Sequence, residues 1–339
     1  MTKYVLKRLL YMVIVFFVVS VLMYAIYNLI PTDPARAELE PLKKTLKPEE
    51  YAARYEQLRW EYGLDDPLFL RYARWMGFAR DKQSGEFDGM IQGNMGFSTL
   101  YKKPVAKVIP VRMSNTILLN VLSTILALGI TIPLGIYCAV HKNGKMDNAV
   151  QVITIVGYSI PIYIVALVFV WLFAVTLGWF PVFGMQTPGN TFTGMRQFLD
   201  KIYYMALPVI VMTFASLGGM TRYVRAAMID ALSMDYIRTA RSKGLKEKVV
   251  IYSHAWRNAL LPVVTVIIGW FLSIFSGSLV IENTFSLNGM GQLYYQGLMN
   301  NDFELVLAIQ MFYITISLLG QLIMDLSYGI VDPRVRVDK

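Results

Sequence analysis

The chain is poor in the residues that carry most metal and acid–base chemistry. It has one cysteine, Cys138, and two histidines, His141 and His254, among 339 residues. A single cysteine excludes an internal disulfide and any Cys-x-x-Cys metal or redox motif. Two histidines leave little for metal ligation or proton transfer. The sequence therefore predicts neither a metal site nor a catalytic site.

Charged residues are also scarce. They make up 16% of the chain, against about 25% in a soluble domain, while 55% is hydrophobic. The mean hydropathy of +0.46 excludes a disordered protein and points to the bilayer. The net charge is +9, but much of the basic excess lies beside apolar runs, which argues against a nucleic-acid partner.

The sequence contains six long apolar runs, at 9–30, 117–140, 149–177, 202–220, 259–281 and 303–330. A bilayer core about 30 Å thick needs about 20 apolar residues in a helix. Backbone groups in lipid must bond internally, which favours helices. We predict an all-α membrane protein with six transmembrane helices. We expect an external soluble segment after helix 1 and a short cytoplasmic helix between helices 4 and 5.

The basic residues predict the orientation and the domain division. Lys and Arg cluster at both termini and in the loops after the second and fourth runs. Positive charge stays inside, so we expect cytoplasmic N- and C-termini. The first run is longer than a signal-peptide core and is expected to be a retained span. The predicted parts are 1–30, an external segment 31–112, and a five-helix core 113–339.

The external segment is polar enough to be soluble. Its residues 48–63 predict a short helix from the spacing of Tyr51, Tyr55 and Leu58. Residues 81–96, rich in Gly, Asp and Ser, predict a loop. The segment is either a cap packed on the outer mouth or a docking surface for an external partner, and the sequence leaves both open.

The loop 222–257 is long, basic and mostly helix-forming. Residues 233–236 predict a helix start and 237–243 a short helix. Gly244 is expected to end it in the left-handed conformation, followed by a hydrophobic contact from Leu245, and a second helix is expected near Lys246. One interpretation is a basic amphipathic helix on anionic lipid. The other is a helix that docks into a cytoplasmic partner, with the small residues Ala240 and Gly244 permitting close approach.

Two stretches of this loop carry a family resemblance. Residues 236–245 read Tyr-Ile-Arg-Thr-Ala-Arg-Ser-Lys-Gly-Leu, and 257–262 read Arg-Asn-Ala-Leu-Leu-Pro. Together they resemble the coupling-loop signature of ATP-binding-cassette importer permeases, most of all the dipeptide/oligopeptide branch. Arg238-Thr239-Ala240 stands where the general signature has Glu-Ala-Ala. The spacing from Gly244 to the Leu-Pro pair is longer than in the general form, and both departures are typical of the peptide branch.

The resemblance extends over nearly the whole chain. Thr32 stands where glycine is commoner in the branch, and Asn288 where proline is usual. The long external segment resembles that of the first of the two permease subunits in such systems. The other matching stretches are 7–10, 31–35, 93–98, Asn115-Thr116, 132–135, 177–181, 276–278, Glu282, 285–286, 288–291 and 332–336.

The resemblance implies a set of partners. The chain would form one half of a pore with a homologous permease, in a bacterial or archaeal plasma membrane. Two ATPase subunits would bind ATP and Mg at the cytoplasmic face, and an external binding protein would deliver substrate. The chain itself needs no cofactor and is not an enzyme. Its Gly144-Lys145 pair is followed by Met146, so a phosphate-binding Gly-x-x-x-x-Gly-Lys-Ser/Thr loop is absent.

The resemblance also implies a mechanism. A helix over 233–243 would sit in a groove on an ATPase, with Arg238 and Arg241 anchoring it by charge. ATP-driven closure would push the helix and turn the spans from inward-open to outward-open. The candidate ATPase-coupling residues are Asp235, Arg238, Thr239, Ala240, Arg241, Lys243, Gly244 and Leu245.

Small and helix-breaking residues inside spans give the candidate pathway residues, which are Ser159, Pro161, Ser273 and Ser276. The alternative is close helix packing through small residues. Peptides are the substrate implied by the resemblance, and nickel chelates, glutathione and oligosaccharides are alternatives within the branch. A secondary transporter or a membrane scaffold remains a different class, although span centres carry almost no ionisable residues.

Overall fold

The structure, a computed structural model, describes residues 2–30, 33–82 and 84–331. The motif residues Pro31 and Thr32 and the stretch 332–336 lie outside these ranges. The chain divides into two compact units. The first contains the described residues up to Met113 and Leu293–Leu319. The second contains Ser114–Gln292 and the described residues from Gly320 onwards.

The N-terminal part of the first unit contains four helices: α1 Thr2–Leu29, α2 Pro34–Leu39, α3 Pro48–Glu61 and α4 Leu68–Met76. The α1 helix is mostly apolar after Arg8, and many of its side chains are exposed, as in a lipid-facing span. Its Ser20 hydroxyl lies 2.7 Å from the Tyr72 hydroxyl of α4. The α2 helix begins after Asp33, whose carboxylate accepts the Ala35 and Arg36 N–H groups.

The predicted external helix 48–63 is confirmed as α3, and Gly63 follows it at φ +61°. Ala35, Leu39 and Leu58 form a small core between α2 and α3. The predicted loop 81–96 is also confirmed, with one 3₁₀ turn at Met90–Gln92. A two-residue hairpin follows, in which β1 Phe97–Ser98 pairs antiparallel with β2 Lys103–Pro104.

The second unit contains most of the long helices. Helix α5 spans Val105–Val140, so it begins inside the predicted external segment and crosses the boundary between the units. Helix α6 spans Lys145–Ser159, and α7 spans Ile162–Phe169 and continues as a π-helix over Val170–Thr176. Helix α8 spans Gly194–Leu232, well beyond the predicted run.

The third predicted span is not one helix. The axes of α6 and α7 differ by 103° at a break of two residues. Pro161 is the cause, because proline lacks an N–H and forces the preceding residue out of the helical region. Ile160 accordingly has extended angles, φ −85° and ψ 126°.

Further along the chain, α9 spans Asp235–Ser242 and α10 Glu247–Val249, followed by a π-helical segment Val250–Trp256 and α11 Arg257–Ser273. The fifth predicted span, 259–281, is therefore wrong at its end, since α11 stops at Ser273. Gly277 in the break has no room for a side chain, because a Cβ would lie 2.1 Å from the Gly291 nitrogen. The remaining helices are α12 Leu279–Thr284, α13 Met290–Met299 and α14 Phe303–Val331.

Five helices of the described chain are long and apolar enough to cross a membrane, and the bent α6–α7 pair makes a sixth if it counts as one span. The helical membrane class is thus confirmed, while the number of six depends on that pair. Buried side chains form a cluster, here called the loop core: Ile136 and Ala139 of α5, Met220, Val224, Met228 and Ala231 of α8, Ile237 and Ala240 of α9, and Val250, Ala255, Ala259 and Val263.

Candidate coupling site

Helix α9 follows α8 after only Ser233 and Met234. It begins at Asp235, whose acidic side chain in the first turn suits the positive end of the helix dipole. The predicted start within 233–236 is confirmed. The Ser233 hydroxyl donates backwards to the Asp230 carbonyl at 2.7 Å instead of capping α9.

The end of α9 has the predicted glycine geometry. Gly244 has φ +76°. Its N–H donates to the Arg241 carbonyl at 2.9 Å, and the Leu245 N–H donates to the Ala240 carbonyl at 3.4 Å. These two bonds define a Schellman motif, which satisfies carbonyls that the last helical turn leaves unpaired. A Cβ on Gly244 would meet no atom of the chain within 4 Å, so its outer side is open.

Helix α9 has one buried and one exposed face. Ile237 and Ala240 belong to the loop core, together with Val250 and Ala255 of the following segment. Ala240 is only 5% exposed, so it packs inside the chain and does not offer a small surface to a partner. This corrects the expectation for Ala240, and leaves Gly244 as the small residue on the open side.

The charges of the exposed face are partly matched within the chain. Arg241 donates to Glu247 through Nε at 3.2 Å and through a terminal nitrogen at 2.6 Å. These hydrogen bonds raise the pKa of Arg241 above its usual value. Arg238 lies 3.8 Å from Asp235, with both side chains over 80% exposed, so that pair adds little. Thr239 donates back to the Asp235 carbonyl at 3.1 Å.

The remaining predicted coupling residues, Lys243 and Leu245, are exposed next to Gly244. The structure thus brings Asp235, Arg238, Thr239, Arg241 and these two residues onto the exposed surface of α9 and the turn after it. A rigid, basic helix of about two turns is held on a packed base, and its role in contacting a partner stays a prediction.

The four candidate pathway residues lie at helix breaks. Ser159 ends α6 and Pro161 precedes α7, while Ser273 ends α11 and Ser276 lies in the following break. All four are exposed within this chain. The Ser159 and Ser273 hydroxyls each donate to a carbonyl of their own helix, those of Ile155 and Trp270. Their position in a pathway remains a prediction.

Two buried polar centres of this unit were missed at the level of sequence. In the first, Asp147 of α6 pairs with Arg225 of α8. In the second, the fully buried carboxylate of Glu282 in α12 accepts from the Thr116 hydroxyl at 2.8 Å and from the Gln292 N–H at 2.9 Å. Burial raises the pKa of the Glu282 carboxyl, although these two donors offset part of the effect. The only sequence signal was a lone charged residue beside an apolar run.

The motif residues around Glu282 prove to be neighbours. The Asn120 amide donates to the Ile274 and Ser276 carbonyls at 2.8 and 3.0 Å, which satisfies backbone freed by the end of α11. The Asn115 amide donates to the Asn288 carbonyl at 2.8 Å. One face of α5 thus holds the segment between α11 and α13.

Among the residues that the structure describes, no group of three or more His, Cys, Asp and Glu side chains is placed to hold a metal ion. The features of the site are helical packing, a basic surface and helix ends. Fold and site together define a multi-pass membrane protein in which a short helix is fixed between two spans.

The chain belongs to the family of binding-protein-dependent transport system inner membrane components, whose model matches residues 131–337. The model for the N-terminal part of such membrane components matches residues 1–120. It is therefore a multi-pass permease component of a transport system, as the coupling-loop resemblance predicted, and not itself an enzyme.

Relatives match over essentially full length. The oligopeptide transport system permease AppB of Bacillus subtilis (strain 168) is 35% identical over 99% of both chains. The glutathione transport system permease GsiC of Escherichia coli O6:H1 is 31% identical over 99% of both. A chain from an inward-facing crystal structure of the MetNI methionine ABC transporter shares the fold, with TM-score 0.53 and 16% identity. That match covers 66% of this chain and 96% of the MetNI chain.

Proposed function

We propose that this permease is one half of a heterodimeric pore that imports di- or oligopeptides into the cytoplasm at the expense of ATP. The observation that carries the proposal is the full-length similarity to the oligopeptide permease AppB, which covers 99% of both chains. The coupling-loop signature lies on α9 and its glycine-terminated end, where a partner has access to it.

The proposed partners are a homologous second permease, two ATPase subunits and an external substrate-binding protein. The ATPases bind ATP and Mg, and this chain binds neither. The termini and α9 lie on the cytoplasmic side, where the basic residues of the loop 222–257 are concentrated.

The proposed mechanism uses α9 as a lever. Its exposed face, with Arg238 and Lys243, sits in a groove of an ATPase subunit, and Gly244 allows close approach. ATP-driven closure of the ATPase pair displaces α9. The loop core resists deformation because close-packed interiors transmit strain, so the displacement passes to α8 and α11. Arg241 keeps its charge, but the adjacent Glu247 carboxylate offsets part of the positive field that it presents to a partner.

Glutathione is the alternative substrate with a specific observation in its favour, the full-length similarity to the permease GsiC. Selection between the two rests largely with the external binding protein. Uptake of radiolabelled dipeptides, longer peptides and glutathione into proteoliposomes containing the full complex distinguishes them.

The first test is purification of the tagged chain from its native membrane in mild detergent. We expect a second permease and ATPase subunits to co-purify in fixed stoichiometry, and the complex to hydrolyse ATP. Recovery of the chain alone, under conditions that preserve other importer complexes from the same membrane, would contradict the proposal.

A further inference from the structure

A largely buried ion pair with two hydrogen bonds joins α6 to α8. Arg225 donates through Nε to one oxygen of Asp147 at 2.6 Å, and through a terminal nitrogen to the other oxygen at 2.6 Å. Two parallel bonds of this kind fix the relative orientation of both groups as well as their distance. The Asp147 side chain is completely buried, and that of Arg225 is 20% exposed.

The Asp147 carboxylate also holds the turn before α6. It accepts the Asn143 backbone N–H at 2.8 Å, and Asn143 has φ +64°. A buried carboxylate is retained only when its desolvation is offset by a partner of opposite charge and by further hydrogen bonds. Asp147 has both, so it connects the turn after α5, the start of α6 and the side of α8.

The pair lies at one end of a seam between two antiparallel helices. Two turns further along each helix, the Thr154 carbonyl approaches Gly218 so closely that a Cβ there would lie 2.7 Å away. Beside this seam the helices part around an open cavity of about 470 Å³, bordered by Gln151, Tyr158, Gly219, Arg222, Tyr223, Arg225 and Ala226. The ion pair is a directional contact at this end of the seam.

Helix α8 is linked mechanically to α9. Val224, next to Arg225, belongs to the loop core, as do Met228 and Ala231 further along α8. The same core contains Ile237 of α9, and only Ser233 and Met234 separate the two helices. A displacement of α9 therefore moves the part of α8 that carries Arg225.

Helix α6 ends at a hinge. After Ser159 the chain turns by 103° at Ile160 and Pro161 into α7. This break has no continuous helical hydrogen bonding across it, so α6 can follow α8 without α7 moving as one rod with it.

We propose that the Asp147–Arg225 ion pair is the joint that makes α6 follow α8 when α9 is displaced, and that both are positioning residues for transport. The proposal rests on the proposed function, since it assumes that an ATPase displaces α9. Its content is separate: loss of the joint leaves assembly and ATP hydrolysis intact, and uncouples them from peptide uptake.

The test replaces the pair by apolar side chains of similar length in the full complex, as Asp147→Leu with Arg225→Met. An apolar replacement of a buried pair removes both charges together and so leaves no unpaired charge to disrupt folding. Arg225→Lys is the conservative variant. It keeps the positive charge but cannot make the two parallel hydrogen bonds that the guanidinium makes to Asp147. Arg222→Met is the matched control, because Arg222 is exposed and forms no ion pair with the residues that the structure describes.

Peptide uptake and ATP hydrolysis are measured in the same proteoliposomes. We expect the double variant to assemble and hydrolyse ATP normally, while peptide taken up per ATP falls about tenfold, a usual size for coupling between sites. The ratio for Arg225→Lys lies between those of the double variant and the wild type, and Arg222→Met is unchanged. A normal ratio of peptide uptake to ATP hydrolysis in the double variant would overturn the role of the ion pair and leave the proposed function standing. A wild-type complex that contains no ATPase subunits would overturn the proposed function.

A second measurement covers the case in which the double variant does not assemble. Spin labels at Met146→Cys and Asp230→Cys, both exposed sites, report the distance between α6 and α8; Cys138 is buried. We expect this distance to stay constant on ATP binding in the wild type and to change in Arg225→Lys. A distance that changes with ATP in the wild type would overturn the proposal.

Discussion

The Thr116 hydroxyl donates to Oε1 of Glu282 at 2.8 Å, and the same hydroxyl oxygen accepts the Met290 N–H at 2.8 Å. One side chain of α5 therefore satisfies two groups that lie beyond the end of α11. Thr116 and Glu282 are 1% and 0% exposed, so water cannot supply a hydrogen bond that either residue loses.

Replacing Thr116 by valine keeps the shape and removes the hydroxyl. The Met290 N–H and one Glu282 oxygen then lose a buried partner, which costs about 1–3 kcal/mol. We expect a lower midpoint of thermal unfolding for the detergent-solubilised protein. Thr176→Val is the control, because that hydroxyl is exposed and bonds only within its own helix. Equal midpoints for the two variants would contradict the role of Thr116.

Glu282 predicts a pH dependence of stability. Burial holds the pKa of its carboxyl above the usual value, which is about 4.3 in an unfolded chain. A group whose pKa is raised by folding contributes stability below the unfolded pKa and loses it as the pH rises through the folded value. We therefore expect the wild type to lose stability relative to Glu282→Gln as the pH rises above the unfolded pKa of about 4.3. Unfolding midpoints of both proteins at a series of pH values test this prediction. It would be refuted if the wild type gained stability relative to Glu282→Gln as the pH rises.

Gly289 has no space for a side chain. A Cβ there would lie 2.3 Å from Oε1 of Glu282, so Gly289→Ala displaces the carboxylate and costs about 1–3 kcal/mol. Gly269→Ala is the matched control, because a Cβ at that position of α11 meets nothing within 4 Å. Alanine inside a helix is better than glycine by about 0.5–1 kcal/mol. Thermal unfolding should shift in opposite directions for the two variants, and a shift in the same direction would argue against tight packing at Gly289.

Two variants of Gly244 separate two reasons why glycine is needed there, namely its left-handed backbone conformation and its lack of a side chain. Gly244→Asp adds bulk and negative charge at the end of a basic helix, and we expect ATP hydrolysis to proceed without transport. Gly244→Asn tolerates the φ of +76°, since asparagine adopts the left-handed conformation more readily than most residues, yet it also adds a side chain. Coupled uptake assays of both variants decide: normal transport by both would refute close approach of a partner at Gly244.

Asp302 organises the hairpin of the first unit. Its carboxylate accepts the Ser98 hydroxyl at 2.5 Å, the Leu100 N–H at 3.1 Å and the Leu305 N–H at 3.3 Å. Asp302→Ala leaves these donors unpaired, and we expect faster amide hydrogen exchange over residues 97–104. Asp88→Ala serves as the control, because that exposed carboxylate accepts only from Asn94 among the bonds found here. Unchanged exchange in Asp302→Ala would show that the hairpin is held by other contacts.

Most of the helices were predictable because their causes are local. Long apolar runs predict spans whatever surrounds them, and Gly244 predicts the end of α9 from its own conformational freedom. The bend at Pro161 also has a local cause, the missing N–H, although the sequence does not give its angle of 103°. The end of α11 at Ser273 was mispredicted, because the backbone beyond it is satisfied by a distant side chain. The Asn120 amide of α5 donates to two carbonyls that are 154 and 156 residues away.

The candidate coupling site likewise has features that the sequence predicted and features that depend on tertiary packing. Sequence located α9 and its exposed basic residues, but placed Ala240 on the partner side, whereas packing against the segment Val250–Trp256 turns it inwards. Nothing in the sequence pairs Asp147 with Arg225, which are 78 residues apart, or Thr116 with Glu282, which are 166 residues apart.

The sequence by itself determined that this is a helical membrane protein with a short basic helix between two spans. Those properties follow from hydropathy, charge and backbone preference, each of which acts over a few neighbouring residues. Only the tertiary structure decided which side of α9 is open, where the fifth span breaks and which buried charges meet. These depend on the desolvation of polar groups, whose cost is set by partners that the chain brings together only when it folds.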